Sequence, residues 1–257
     1  MKCLFAGLTD PGLLRPANQD AYYIDPEGRF FIVADGMGGH AGGQEASQIA
    51  TQAIQSYLDE YWHTAEASDA LLEKAFLKAN HEILQDQKRH PERSDMGTTA
   101  VVVISRGAPA YWCAHTGDSR LYRLRETQMV RMTEDHTWVT RALKEGELNP
   151  EQVRNHPWRH VLSQCLGRED LRKIEIQPLD IQPGDRLLLC SDGLTEELSD
   201  AAIESYWQSV STCEQVVEIL VQAAKDRGGR DNITVIVVSI PPQSQPQDSA
   251  EFETQSE

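Results

Sequence analysis

Apolar and polar positions along the chain predict strands in its first third, followed by two helices. Short apolar runs typical of β-strands are CLFAGLT, AYYID and GRFFIVAD, and Pro26-Glu27-Gly28 predicts a hairpin turn between the last two. Helical periodicity begins within MGGHAGGQEASQIATQAIQSYLDEYW, where one face carries Ala46, Ile49, Ala50, Ala53, Ile54, Tyr57 and Leu58. A second amphipathic helix is predicted around ALLEKAFLKANHEILQDQ.

The rest of the chain returns to strands, and the order of the elements favours one fold class. Strand patterns occur at TTAVVVIS, APAYWCAHTG, SRLYRLR, QMVRMT, KIEIQPLDI, DRLLLCSD and NITVIVVSI, with helical patterns at about 200–207 and 213–226. This order is not the strict strand-helix alternation of parallel βαβ folds. It predicts an α+β fold in which antiparallel sheets are covered by helices.

Two segments depart from this pattern. The stretch from Asp135 to about Leu166 is polar and helix-prone, and we interpret about 137–166 as a flap inserted between strands. The final segment PPQSQPQDSAEFETQSE is polar, acidic and interrupted by proline, which predicts a disordered tail over 241–257. No internal repeat or linker divides the remainder, so we expect one domain over residues 1–240.

Charge and cysteine content narrow the possible partners and the compartment. The 257 residues carry a formal net charge of −16 without a basic block, which argues against a nucleic acid or an anionic membrane as partner. The five cysteines form no CxxC pair, and Cys113 and Cys190 lie within apolar runs, as expected for reduced, buried thiols. No signal-peptide pattern or membrane-length apolar run is present. We therefore expect a cytoplasmic protein. We also expect it to be a monomer.

Four apolar or strand-like runs end at, or begin beside, an aspartate next to a glycine or asparagine. These aspartates are Asp35, Asp118, Asp192 and Asp231. Carboxylates at strand ends are held at the edge of a core, and several of them in one place repel each other unless protons or cations are present. Clusters of oxygen ligands suit Mg²⁺ or Mn²⁺, which indicates a metal-dependent hydrolase. Asp-Gly pairs also form simple turns, and Asp118 could equally close a hairpin as an Asx-turn.

The motifs around these aspartates resemble one family along nearly the whole chain. They are RPANQD, VADGMGGHAGG, MGTTA, TGDSRLYR, MTEDH, LSQCLG, GDRLLLCSDGLTE and GGRDNITVIVV, in the order found in the type 2C metal-dependent Ser/Thr protein phosphatases. The resemblance implies a four-layer αββα sandwich, in which two antiparallel sheets are flanked by helices. It also implies a dinuclear Mg²⁺ or Mn²⁺ centre in a cleft at one end of the sandwich.

Roles implied by the resemblance can be placed residue by residue. Asp35 matches the carboxylate that bridges both ions, the carbonyl of Gly36 matches a ligand of one ion, and Asp192 and Asp231 match the remaining ligands. Asp118 matches the ligand of a third, weaker ion, and Asp20 matches the acid that holds a metal-bound water. Arg15 matches the arginine that binds phosphate, a role that suits guanidinium donors.

The chain departs from the family pattern near the general acid. Met37 stands where some members carry a histidine, so His40 is our candidate acid and His160 in the flap is the alternative. Gln19 stands where many members carry a glutamate, which argues against a metal ligand at that position. We interpret the glycines between 38 and 43 as small residues that pack the first helix against the sheet. Glu134, Asp135 and His136 are interpreted as a cap for the helix that follows.

The resemblance implies hydrolysis of phosphoserine and phosphothreonine on proteins. A hydroxide activated by two ions would attack phosphorus directly, without a phosphoenzyme. The flap sequence HPWRHVLSQCLGRED is similar to that of cyanobacterial members that act on the phosphorylated P-II signalling protein. Two alternatives remain open from the residues: a catalytically weak module that binds phosphoproteins, and a phosphodiesterase or small-molecule phosphatase.

Overall fold

The computed structural model describes residues 3–39, 42–107, 111–154, 156–172 and 174–242. His40 and residues 243–257 of the expected tail lie outside this description. The strands are β1 Leu4–Asp10, β2 Asp20–Ile24, β3 Phe30–Met37, β4 Gly97–Thr98, β5 Ala100–Ser105, β6 Tyr111–Thr116, β7 Arg120–Arg125, β8 Gln128–Arg131, β9 Glu175–Leu179, β10 Arg186–Cys190 and β11 Ile233–Ser239. The helices are α1 Gly42–Tyr61, α2 Ser68–Arg89, α3 Trp138–Lys144, α4 Pro150–Arg154, α5 Asp192–Thr195, α6 Asp200–Ser209 and α7 Cys213–Asp226.

The strands form two antiparallel sheets. One sheet has the order β1-β11-β10-β7-β8, and the other has the order β2-β3-β5-β6-β9 with β4 paired to β3. Helices α1 and α2 cover the second sheet, whereas α6 and α7 cover the first. The predicted α+β fold, two antiparallel sheets flanked by helices, is confirmed.

Side-chain alternation along β3 explains how one strand joins two cores. Phe30 and Ile32 are fully buried against α1 and α2, whereas Phe31 and Val33 are buried between the two sheets. Successive side chains of a strand point to opposite faces, so a continuous apolar run is buried on both. The strand therefore cannot slip, and its end is a fixed point for whatever follows it.

Hydrogen bonds define the hairpin turn before β3 and the start of helix α3. The predicted hairpin turn is present, because Gly28 has a φ of +72° and its N–H donates to the Asp25 carbonyl at 2.8 Å. The prediction that residues 134–136 cap the flap helix is wrong. Thr137 is the cap of α3, and its hydroxyl accepts from the N–H of Thr140. Asp135 is unavailable for capping because Arg120 binds both of its oxygens.

Two further observations concern the cellular setting. All five cysteines are free thiols, and four of them are buried. Within the described ranges, no helix combines the length and the apolar character needed to cross a bilayer.

Candidate active site

The sequence-predicted site residues converge at one end of the sandwich. A cavity of about 270 Å³ is lined by Arg15, Asp35, Gly36, Asp118, His160, Asp192 and Asp231, among others. Asp20 lies behind this cavity, where its Oδ2 accepts hydrogen bonds from the hydroxyls of Ser191 and Thr234, each at 2.7 Å.

The topology explains why distant segments meet here. Asp35 lies near the end of β3 and Asp118 follows β6, both in the six-stranded sheet. Asp192 follows β10 and Asp231 precedes β11, which are neighbours in the five-stranded sheet. The two sheets therefore each contribute two carboxylates to the same edge of the inter-sheet core.

Threonine and serine hydroxyls fix the backbone behind Asp35 and Asp118. The Asp35 N–H donates to Thr99 Oγ1 at 3.0 Å, and the Thr99 N–H donates back to the Asp35 carbonyl at 2.9 Å. Thr99 Oγ1 is also 2.7 Å from Ser119 Oγ, on the residue after Asp118. One side chain therefore ties two site aspartates together. Sequence reasoning missed this link, although MGTTA and TGDSR contain both hydroxyls.

Gly36 allows helix α1 to approach strand β3 closely. A Cβ on Gly36 would lie 1.9 Å from the carbonyl oxygen of Gly43 and 2.7 Å from that of Gln19, so no side chain fits. The predicted role of the glycines between 38 and 43 as small packing residues therefore holds for Gly43, where an added Cβ would lie 2.7 Å from the carbonyl oxygen of Gly36. Gln19 contributes its backbone here, because its carbonyl accepts from the Gly36 N–H at 3.1 Å.

Asn232 joins the loop that carries Arg15 to Asp231. Its side chain donates to the carbonyls of Pro11 and Ala17 and accepts from the Gln19 N–H at 2.7 Å. Arg15 Nη2 then lies 2.5 Å from Asp231 Oδ2. The hydrogen bond to Asp231 raises the pKa of the Arg15 guanidinium, with further contributions from nearby aspartates.

The cavity is strongly anionic. Loss of solvation and then the charges of neighbouring carboxylates raise the pKa of Asp35 and of Asp118 well above the usual value. Loss of solvation, followed by the charge of Glu196, raises the pKa of Asp192 to about 6. Burial raises the pKa of Asp20 to about 7, despite its two hydroxyl donors. Crowded carboxylates of this kind need protons or cations.

Oxygen donors and their arrangement fit divalent metal ions. The set consists of carboxylates and the Gly36 carbonyl region, which is the ligand chemistry of Mg²⁺ and Mn²⁺. Asp20 Oδ1 is buried and has no hydrogen-bond partner among the described residues. A buried acceptor in this position suits an outer-sphere water, so the residues present fit the ions that the resemblance implies.

His160 reaches the cavity from the flap. Its Nδ1 lies within hydrogen-bonding distance of the carboxylate of Glu196, a contact that sequence reasoning missed. Loss of solvation, followed by the charge of Arg159, lowers the pKa of His160. The flap is tied at its base by the Trp138 N–H, which donates to the Val161 carbonyl at 2.7 Å. Of the two candidate acids, the structure thus locates His160, while His40 lies outside the described residues.

Comparisons with known proteins agree on one family. The family model described as Protein phosphatase 2C matches residues 16–226. A serine/threonine phosphatase stp from Listeria innocua is 35% identical over 235 residues, which cover 90% of this chain and 93% of that protein. The protein phosphatase PhpP of Streptococcus pneumoniae is 37% identical, with 91% and 96% covered.

Solved structures show the same similarity in three dimensions. The serine/threonine phosphatase PstP/Ppp of Mycobacterium tuberculosis has a TM-score of 0.86 and 33% identity, with 93% of this chain and 99% of that chain covered. The catalytic domain of a PstP bound to two manganese ions has a TM-score of 0.81 and 32% identity, with 93% and 98% covered. The chain therefore belongs to the protein phosphatase 2C family of serine/threonine protein phosphatases.

Proposed function

We propose that the cavity hydrolyses phosphoserine and phosphothreonine on proteins with two Mg²⁺ or Mn²⁺ ions. Asp35, the Gly36 carbonyl, Asp192 and Asp231 would hold these ions, and Asp118 would hold a third, weaker one. The single observation that carries this proposal is the convergence of carboxylates whose pKa values are raised by lost solvation and by one another. The two manganese ions of the PstP catalytic domain support the choice of metal.

When bound, ions of this kind make a nucleophile available near neutral pH and neutralise charge on the phosphoryl group. Asp20 is fixed by Ser191 and Thr234 so that its second oxygen can accept a proton and orient the attacking water. Arg15 lies at the cavity edge, where its guanidinium can bind two phosphate oxygens. Most of the rate acceleration then comes from positioning and electrostatic stabilisation.

The leaving serine or threonine alkoxide needs a proton donor. We propose His160 for this role, because its Nδ1 contacts Glu196 and its Nε2 is left for the substrate. His40 remains the other candidate. The acid matters for phosphopeptides but little for p-nitrophenyl phosphate, whose leaving group needs no proton. Replacement of the true acid by glutamine should therefore lower the rate on a phosphopeptide by about 10²-fold and the rate on the aryl ester far less.

The main experiment measures phosphopeptide hydrolysis with Mn²⁺, with Mn²⁺ plus chelator, and with Asp192→Asn. We expect turnover only in the first case. Turnover by the wild type in the presence of chelator, or no turnover with Mn²⁺, would contradict the proposal. Parallel assays on nucleotides and a phosphodiester separate a protein phosphatase from a phosphodiesterase or small-molecule phosphatase.

The flap sequence HPWRHVLSQCLGRED supports a P-II type signalling protein as the physiological substrate. Loops that border a catalytic cavity set substrate choice, and Val161 of this segment is 48% exposed. The test compares kcat/KM on phosphorylated P-II with kcat/KM on the isolated phosphopeptide of the same sequence. A preference for the folded protein is expected. Equal values would contradict a role of the flap in choosing this substrate.

The proposal includes the setting of the enzyme. Residues 1–240 would form one catalytic domain that acts as a monomer in the cytoplasm, in keeping with its five free thiols. Light scattering of the purified chain tests the first point, and cell fractionation tests the second.

A further inference from the structure

A cluster of two histidines and a glutamate lies outside the cavity. The rings of His115 and His136 stack with centroids 4.7 Å apart, and His136 Nε2 is 3.2 Å from Glu175 Oε2. His115 is buried, and its Nε2 is 2.9 Å from the carbonyl oxygen of Glu134. This cluster takes no part in the chemistry described above.

His136 connects two parts of the active site. Its N–H donates to the Gly117 carbonyl at 3.0 Å, and its Nδ1 accepts from the Gly117 N–H at 3.3 Å. Gly117 directly precedes Asp118. The carbonyl of His136 accepts from the N–H of Ser163 at 2.8 Å, on the segment of the flap that also carries His160. One residue thus bonds both to the turn of Asp118 and to the base of the flap.

Hydrogen bonding determines which ring nitrogen of His136 carries the proton. The Gly117 N–H can only donate, so Nδ1 must present its lone pair. The proton is therefore on Nε2, which faces the carboxylate of Glu175. Glu175 selects the tautomer that can hold Gly117, in the way that a carboxylate orients a metal-binding or catalytic histidine.

The Gly117 turn is held from its other side by packing. Gly117 has a φ of +98°, and a Cβ there would lie 2.5 Å from Thr99 Cγ2. Thr99 is the residue that links Asp35 with Ser119. The turn that carries Asp118 is therefore clamped between Thr99 and His136, and on the His136 side a side-chain hydrogen bond to Nδ1 adds to the backbone one.

We propose that His136 is a positioning residue, which holds Asp118 in place for the third, weaker ion and fastens that turn to the flap. This inference rests on the ligand role proposed for Asp118. A metal ion among the nitrogens that face Glu175 is disfavoured, because the bonds to the Glu134 carbonyl and to the Gly117 N–H keep protons on Nε2 of both His115 and His136. The cluster orients the turn and is not itself a binding site.

Two isosteric substitutions separate this role from a purely structural one. His136→Asn places an amide oxygen near the position of Nδ1 and keeps an acceptor for Gly117. His136→Gln places an amide nitrogen near Nε2, so it keeps a donor for Glu175 but loses the acceptor. Mn²⁺ binding to the full chain is measured by calorimetry, and the apparent Mn²⁺ constant is measured for p-nitrophenyl phosphate hydrolysis.

We expect His136→Gln to weaken the weakest class of bound Mn²⁺ by about tenfold or more, as is typical when an outer partner of a ligand is removed. His136→Asn should retain most of that affinity. The inference is overturned if the wild type and both variants bind Mn²⁺ equally. It is also overturned if both variants lose Mn²⁺ affinity equally and show the same drop in Tm. Asp118→Ala is the control and should bind one fewer ion. If it binds the wild-type number, the proposed ligand role of Asp118 fails instead.

Discussion

Strand β10 has an aspartate near each end, and the pKa values of these two carboxyl groups are shifted in opposite directions. Asp185 precedes the strand and is 1% exposed, with Arg125 Nε and Nη2 each 2.8 Å from its oxygens. The Gln182 N–H donates to the same carboxylate at 2.7 Å. Burial raises the pKa of Asp185, but the hydrogen bonds and charge of Arg125 outweigh it, and the pKa is lowered overall.

Asp192 follows the strand and lies in the cleft. There, lost solvation and the charge of Glu196 raise the pKa of its carboxyl to about 6. The pair at the first end of β10 stabilises the fold by itself. The carboxylate at the second end destabilises the fold in its charged form, which is expected of a functional site.

The largest expected effect comes from removing the cleft carboxylate. Asp192→Asn should lower kcat on a phosphopeptide by about 10³-fold or more, equivalent to about 4 kcal/mol of transition-state stabilisation. The Tm of the metal-free protein should stay the same or rise, because a repulsive charge is removed. Kinetics and thermal denaturation in chelator measure the two quantities. A lower Tm of metal-free Asp192→Asn would contradict the contrast drawn between Asp185 and Asp192.

The matched substitution at Asp185 should lower stability and leave activity largely unchanged. Asp185→Asn should lower the free energy of unfolding by about 2 kcal/mol, because Arg125 loses a buried partner. Activity with Mn²⁺ should remain close to that of the wild type, since Asp185 is distant from the cavity-lining residues along the whole length of β10. Denaturant titration and steady-state kinetics give the comparison. Stability unchanged by this substitution would show that the ion pair contributes nothing.

Metal binding should stabilise the folded protein through the cleft end of β10 and not through the Asp185 end. Mn²⁺ at about 100 times its dissociation constant should add about 2.7 kcal/mol to the free energy of unfolding through binding to the folded state. The gain should be reduced in Asp192→Asn and retained in Asp185→Asn. Thermal scans with Mn²⁺ and with chelator measure it. Equal gains in the two variants would place the ions elsewhere.

The smallest effect concerns pH. Because the folded-state pKa of Asp185 is lowered, its contribution is present above the unfolded value of about 4 and is lost as pH falls through the folded value. The stability difference between wild type and Asp185→Asn should therefore be constant from about pH 5 to pH 7 and shrink below about pH 4. Denaturant titrations across this range measure it. A difference that grew on acidification would have the wrong sign for a lowered pKa.

Sequence patterns could predict what depends on neighbours along the chain. The apolar runs locate the strands, and aspartates beside Gly36, Gly193 and Asn232 mark their ends at the cleft. The resemblance supplies roles for them. Patterns could not predict pairings that arise only when sheets meet, such as Thr99 with Ser119 or His160 with Glu196.

The residues before the flap helix show the same limit. A polar run before a helix is read as a cap, yet the structure uses Thr137 for capping and sends the preceding side chains elsewhere. Asp135 turns to Arg120 on β7, and His136 turns to Gly117 and to Glu175 on β9. Those partners are remote in sequence, and nothing local indicates that they compete for the same side chains.

The short contact between Arg15 and Asp231 has a consequence for the order of events in catalysis. If Asp231 holds a cation as proposed, that cation would compete with the guanidinium for the same carboxylate, and Arg15 could then turn towards an arriving anion. Metal and substrate would then bind in sequence, with the phosphoprotein second. Asp231 would in this way keep Arg15 paired, and unable to bind phosphate, until the metal ions are bound.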